Sequence, residues 1–101
     1  MQLNGPKGVA VDPSGNIWVA DTGQSRIVEF SSSGAYLTQF GNAGGDGQLW
    51  GPRGVAVDPS GNVWVADEGN NRIAEFSPVP EPATLSLLAL GGLIMVRLRR
   101  K

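Results

Sequence analysis

The chain has 101 residues, 41% of them apolar and 17% charged, with a net charge of −1, a length that holds at most one small domain with a marginal core. It contains 0 Cys and 0 His, which excludes disulfide staples, thiolate metal sites, and imidazole as base, proton shuttle or ligand. Through Pro80, eight acidic residues stand against four basic ones, whereas beyond it Glu81 stands against Arg97, Arg99, Arg100 and Lys101; the acidic body excludes nucleic acid as a partner, because phosphate contacts need clustered Lys and Arg.

In chain order, Met1 to Lys7 carry no apolar run and no small-residue cleavage site, so a secretory leader is not expected among them. Val9-Ala10-Val11 is a β-branched strand that ends in the turn signal Asp12-Pro13-Ser14-Gly15. Pro suits the first corner of a type I turn and Gly the left-handed position after it. Asn16 to Ala20 is the return strand of a hairpin, with Trp18 in its middle. A polar turn at Asp21 to Ser25 leads to a third strand, Arg26 to Phe30. Ser31 to Gly34 turns again, into a fourth strand, Ala35 to Phe40.

Asn42-Ala43-Gly44-Gly45-Asp46-Gly47 has the composition of a ligand loop but lacks the strand-to-helix setting of a phosphate loop; it is expected to be a connection. The pattern then begins again. Gly51 to Asp67 repeats Gly5 to Asp21 at a constant offset of 46 residues, and the match runs on through Gly69, Arg72-Ile73 and Glu75-Phe76. A repeat of about 40–50 residues made of strands denotes a propeller blade or a solenoid unit, and four short antiparallel strands per repeat is the blade plan. Residues 8–40 and 54–76 are therefore expected as strands of two packed sheets. The strands are apolar on both faces, as in a sheet packed between two neighbours. The second copy stops at Phe76-Ser77-Pro78, so its fourth strand is expected to be missing.

Several residues invite a sharper reading. Asp12 and Asp58 are expected to cap turns rather than bind metal. Asp21 with Arg26, and Asp67 with Arg72, are expected to brace their turns by ion pairing. Trp18 and Trp64 occupy equivalent positions and are expected in the core in equivalent environments. Trp50 replaces Asn4 of the first copy and is expected to pack. No catalytic residue, metal site or cofactor is expected.

The run Gly8 to Ile27 and its copy Gly54 to Ile73 resemble the NHL repeat, over about three quarters of the chain. That resemblance implies a β-propeller, commonly six-bladed. The expected fold class is all-β: a partial β-propeller of two antiparallel blades, residues 1–47 and 48–78, the second lacking its fourth strand, plus one C-terminal hydrophobic helix. Two blades do not close a ring, so self-association is expected, three copies supplying six blades.

Val79-Pro80-Glu81-Pro82 is an extended linker, since Pro cannot continue a central strand. Ala83 to Val96 is uncharged; as a helix it would span about 21 Å at ~1.5 Å per residue, short of a ~30 Å hydrocarbon core. The basic cluster Arg97, Arg99, Arg100 and Lys101 can snorkel and act as a cytoplasmic stop. Residues 83–101 are thus expected as a single-pass membrane helix with a basic tail, the body outside the cell. Gly91-Gly92 lies within that helix and reads as a packing feature.

The order Pro-Glu-Pro, short apolar segment, basic end is similar to the PEP-CTERM sorting signal of Gram-negative bacteria. This resemblance implies recognition of Pro80, Glu81 and Pro82 by an exosortase-type enzyme, membrane association, and release or display at the cell surface. The expected function is a membrane-anchored cell-surface or matrix module that binds an unidentified protein or carbohydrate ligand, or serves structure. Two alternatives stand beside it: a fragment of a larger propeller protein without independent activity, and a piece of a propeller lyase or hydrolase. The resemblance gives such enzymes an axial metal on His ligands, and this chain has 0 His.

Overall fold

The computed structural model describes residues 2–77 and the backbone of 95–99. Strands β1 (Gly8–Val11), β2 (Ile17–Asp21), β3 (Arg26–Phe30) and β4 (Tyr36–Phe40) form one antiparallel sheet in that order. Strands β5 (Pro52–Val57), β6 (Val63–Asp67), β7 (Arg72–Ser77) and β8 (Met95–Arg99) form a second sheet in the same order.

Turn chemistry sets the register of each hairpin. Asp12 Oδ1 accepts the backbone N–H groups of Ser14 and Asn16, each at 2.9 Å, and Gly15 takes φ +88°. Asp58 repeats this with Ser60 and Asn62, also at 2.9 Å, and Gly61 at φ +86°. With the turns held, Val9 pairs with Val19 and Ala10 with Trp18; Val55 pairs with Val65 and Ala56 with Trp64. Capping of turns by Asp12 and Asp58 is thus as expected.

The two sheets pack face to face through β1, β2 and β5. Trp18, Ala20 and Ile27 of the first sheet meet Val63, Val65, Ala74 and Phe76 of the second, with Leu49 sealing the join. Each fully buried Val, Leu, Ile or Phe among them contributes about 1.5–3 kcal/mol relative to exposure, and each Ala less. Phe40 bridges the sheets, its ring centroid 6.0 Å from that of Trp18 and 4.4 Å from that of Phe76. Small residues on the innermost strands let the backbones approach. A Cβ on Gly8 would lie 2.5 Å from the Arg53 carbonyl oxygen.

The second repeat supplies three strands of its own, as expected. Three other expectations are corrected. First, the C-terminal segment is not helix and tail throughout: Met95–Arg99 pairs with β7, Glu75 opposite Arg97 and Ile73 opposite Arg99. These residues form a strand rather than the end of a helix and the start of its basic tail; the remainder of the expected linker and helix, residues 79–94, lies outside the described residues. The physical reason is twofold. Without a partner, the outer edge of β7 would present unpaired N–H and C=O groups, and Val-Arg-Leu-Arg alternates with the period of a strand. Second, Trp18 is 2% exposed whereas Trp64 is only half-buried, since no third sheet covers it among the described residues. Third, the Trp50 side chain is 65% exposed.

Candidate functional site

The tightest polar constructions lie at the start of each repeat. Asp21 is fully buried; its Oδ1 accepts the Asn4 N–H at 2.7 Å and its Oδ2 the Arg26 Nε–H at 2.6 Å. The Arg26 guanidinium also donates to the Gln39 side chain and to the Gln2 carbonyl. In the second repeat, Asp67 accepts from the Trp50 N–H at 2.7 Å and from Arg72 Nε at 2.8 Å, and Arg72 reaches the Gln48 carbonyl at 2.6 Å. Each pair thus straps the incoming chain onto its sheet. Gly23 and Gly69 allow this, because a Cβ there would collide with the Asn4 and Trp50 carbonyls. What the repeat needs from Trp50 is its backbone, which explains why Asn4 can stand in its place. These Asp–Arg pairs are structural.

A cleft of about 390 Å³ opens between the Asp12–Asn16 turn and residues 59–61 of the second sheet. Asp12, Asn16, Trp18 and Glu29 line its first-sheet wall, and Pro59, Ser60 and Gly61 the other. The Trp18 indole N–H donates to Asp12 Oδ2 at 3.0 Å. Burial pushes the Glu29 carboxyl up, the negative charge of Asp12 adds to this, and a hydrogen bond from Asn16 opposes it. In the second sheet, the Trp64 indole N–H holds the Asp58 carboxyl below its ordinary value; slight burial opposes this, and hydrogen bonds from Asn62 and Ser60 assist. Sequence reasoning passed over Glu29. The available signal was an acid in mid-strand, at Arg26-Ile27-Val28-Glu29-Phe30, placed opposite Trp18 by the β2–β3 register.

The cleft offers hydrogen-bonding groups and a negative wall that disfavours anions. Among the described residues no group of three or more acids, His or Cys is placed to hold a metal ion.

The sorting residues are placed only in part. Arg97 and Arg99 lie on β8, whereas Pro80, Glu81, Pro82, Arg100 and Lys101 fall outside the described residues. Among the described residues no helix is long and apolar enough to cross a membrane.

Comparison with known proteins accounts for both halves of the chain. The NHL repeat matches residues 3–30 and 49–76, and the PEP-CTERM protein-sorting motif matches residues 78–101. No curated protein matches the sequence. Among solved structures, a streptogramin B lyase is similar at a TM-score of 0.62 and 21% identity, over 83% of this chain and 30% of that one. Virginiamycin B lyase from Staphylococcus aureus is similar at a TM-score of 0.65 and 18% identity, over 99% of this chain and 29% of that one. At such identities the likeness shows the fold, a propeller-like all-β arrangement, and this chain spans less than a third of either protein. The sorting motif implies export, processing by exosortase-type machinery and anchoring in the cell envelope. Built on two in-phase copies of one repeat and closed by that motif, the chain belongs to the NHL-repeat family and carries a PEP-CTERM sorting signal at its C-terminus.

Proposed function

We propose that this chain is an exported, envelope-tethered pair of propeller blades that acts in binding or structure rather than catalysis. The observation that carries this reading is the adjacency of a packed two-repeat body, which ends at Ser77, and a sorting motif that begins at residue 78. The charge distribution supports an orientation. The acidic body suits the outside, and the basic end, Arg97 to Lys101, suits the cytoplasmic side before processing.

Residue types support the non-catalytic reading. With 0 His and 0 Cys, a general base near neutrality or a nucleophilic thiolate has no obvious source. The Glu29 carboxyl in the cleft has a raised affinity for protons, and its neighbours there are Asp12 and Asn16. The cleft is instead suited to weak recognition of an uncharged polar ligand, a protein loop or a carbohydrate, through Asn16, Ser60 and the two carboxylates. The lyase activities named for the structural relatives belong to those proteins.

Topology tests this directly. The chain is placed behind a signal peptide in a host without exosortase, and protease is added to spheroplasts, whose outer membrane has been opened. Degradation of the body with survival of a cytoplasmic tag at Lys101 is the expected result. A protected body would overturn the proposed orientation.

A further inference from the structure

The packed sheets bury one face of each and, among the described residues, leave the other face of each without a sheet partner. The unpartnered face of the second sheet duplicates the buried face of the first. Gly8, Ala10, Trp18, Ala20, Ile27 and Glu29 share one face by register, and their counterparts 46 residues on are Gly54, Ala56, Trp64, Ala66, Ile73 and Glu75, identical at all six positions. Their surroundings differ. Ala20 and Ile27 are 0% exposed, whereas Ala66 is exposed and Ile73 only half-buried. A shallow hollow of about 340 Å³ lies over Gly54, Ala56, Trp64 and Ala66, where the first sheet has its neighbour.

The opposite end of the body carries the matching half. The face of the second sheet that packs on Trp18 includes Val55, Val57, Val63 and Val65. Its first-sheet counterparts are Val9, Val11, Ile17 and Val19, different only in Ile17 for Val63. Val9 and Val11 are 66% and 63% exposed, unusually high for valines in a sheet, while Val19 is already buried. A hollow of about 360 Å³ runs along Leu3, Pro6, Lys7 and Val9.

From this duplication we infer that the Gly54–Ala66–Ile73 face of one copy docks on the Val9–Val11 face of a second copy, head to tail. The chain's own inter-sheet join is the template. Backbone approach is part of it. Gly8 admits the Arg53 carbonyl, and Gly54 has nothing nearer to a would-be Cβ than the Ala66 methyl at 3.4 Å, which leaves room for the backbone at Lys7 of the next copy. One polar contact also transfers. Ser25 Oγ accepts the Gly51 N–H at 3.1 Å; its counterpart Asn71 presents a side-chain carbonyl for the Gly5 N–H of the next copy. The outer strand does not transfer, since the register places Arg99 opposite Ile73 where Phe40 stands opposite Ile27. The contact therefore belongs to the inner three strands. An interface of this kind is heterologous and closes into a ring when its rotation permits.

The test uses the full chain in a mild detergent, with mass measured by light scattering. A discrete species of two or more copies is expected. Ala66→Glu adds a charge at a site that is exposed in the single chain but enclosed on docking. It should leave circular dichroism unchanged and weaken association at least tenfold. Because the chain has 0 Cys, Pro6→Cys and Glu68→Cys can be placed on separate copies, at the positions equivalent to the internal contact in which the Thr22 hydroxyl donates to the Pro52 carbonyl at 2.5 Å. On mild oxidation the mixed variants should form a disulfide-linked heterodimer, and either variant alone should not. A monomer at tens of micromolar, an oligomer indifferent to Ala66→Glu, or cross-linking of like with like would each overturn the proposal.

Discussion

Asp21 and Asp67 show how much one side chain carries here. Each is fully buried against an arginine and a backbone N–H of the incoming chain. Removing one partner of a buried pair costs about 3–5 kcal/mol, because the other charge is left without compensation. That is a large share of the roughly 5–15 kcal/mol that holds a domain folded. Asp67→Ala should therefore unfold the second sheet or lower its denaturation midpoint sharply in urea. Exposed Arg53 and Glu68 also form an ion pair, at 3.0 Å, but Glu68→Ala should shift stability by less than about 1 kcal/mol. Glu29 gives a test in pH. Its carboxyl takes up protons more readily in the fold than in the unfolded chain, so its contribution to stability is full below its ordinary value of 4.5 and is lost as pH rises through the folded value. Glu29→Gln should raise the melting temperature at pH 7 and leave it nearly unchanged at pH 4. A variant less stable at pH 7 would contradict the cause assigned to the shift.

Elements of the body were legible because turn and strand signals agree. Asp-Pro-Ser-Gly dictates the hairpin, β-branched residues flank it, and the 46-residue copy supplies a second reading of each strand. The Asp–Arg straps were legible as pairs; their action on the incoming chain was not, since the partners are backbone groups of Asn4 and Trp50 that no side-chain pattern announces. The exposure of the Trp50 side chain was hidden for the same reason. Met95 and Val96 read locally as the end of an uncharged run and Arg97 to Lys101 as its basic tail; pairing of 95–99 to β7 is a non-local interaction that overrides local preference. Deleting residues 95–101 should leave β7 as an open edge, seen as faster amide exchange at Ile73 and Glu75 and a greater tendency to aggregate. Equal exchange in both forms would contradict the β7–β8 pairing. Close approach gives another expectation. Gly8→Ala forces the sheets apart at Arg53 and should lower the melting temperature by several degrees, whereas Gly23→Ala displaces the Asn4 strap instead and should free the N-terminal residues to proteolysis.

At the scale of the whole molecule, the chain is two sheets and an address. The body has the packing of neighbouring propeller blades, and the tail provides an envelope signal. The two are linked by β8, whose residues lie within the sorting motif yet pair with the body. Strand pairing and membrane insertion make competing demands on this segment, so processing that removes it would also uncover the β7 edge. The most direct measurement is the intact mass of the exported protein, made behind a signal peptide in an exosortase-bearing host, alongside a Glu81→Ala, Pro82→Ala variant. The expected wild-type product retains the body through Ser77 and lacks the basic end at Arg97 to Lys101, while the variant keeps it. Wild-type protein at the cell exterior with Lys101 still attached, or equal trimming of both forms, would contradict the assignment of this tail as a sorting signal.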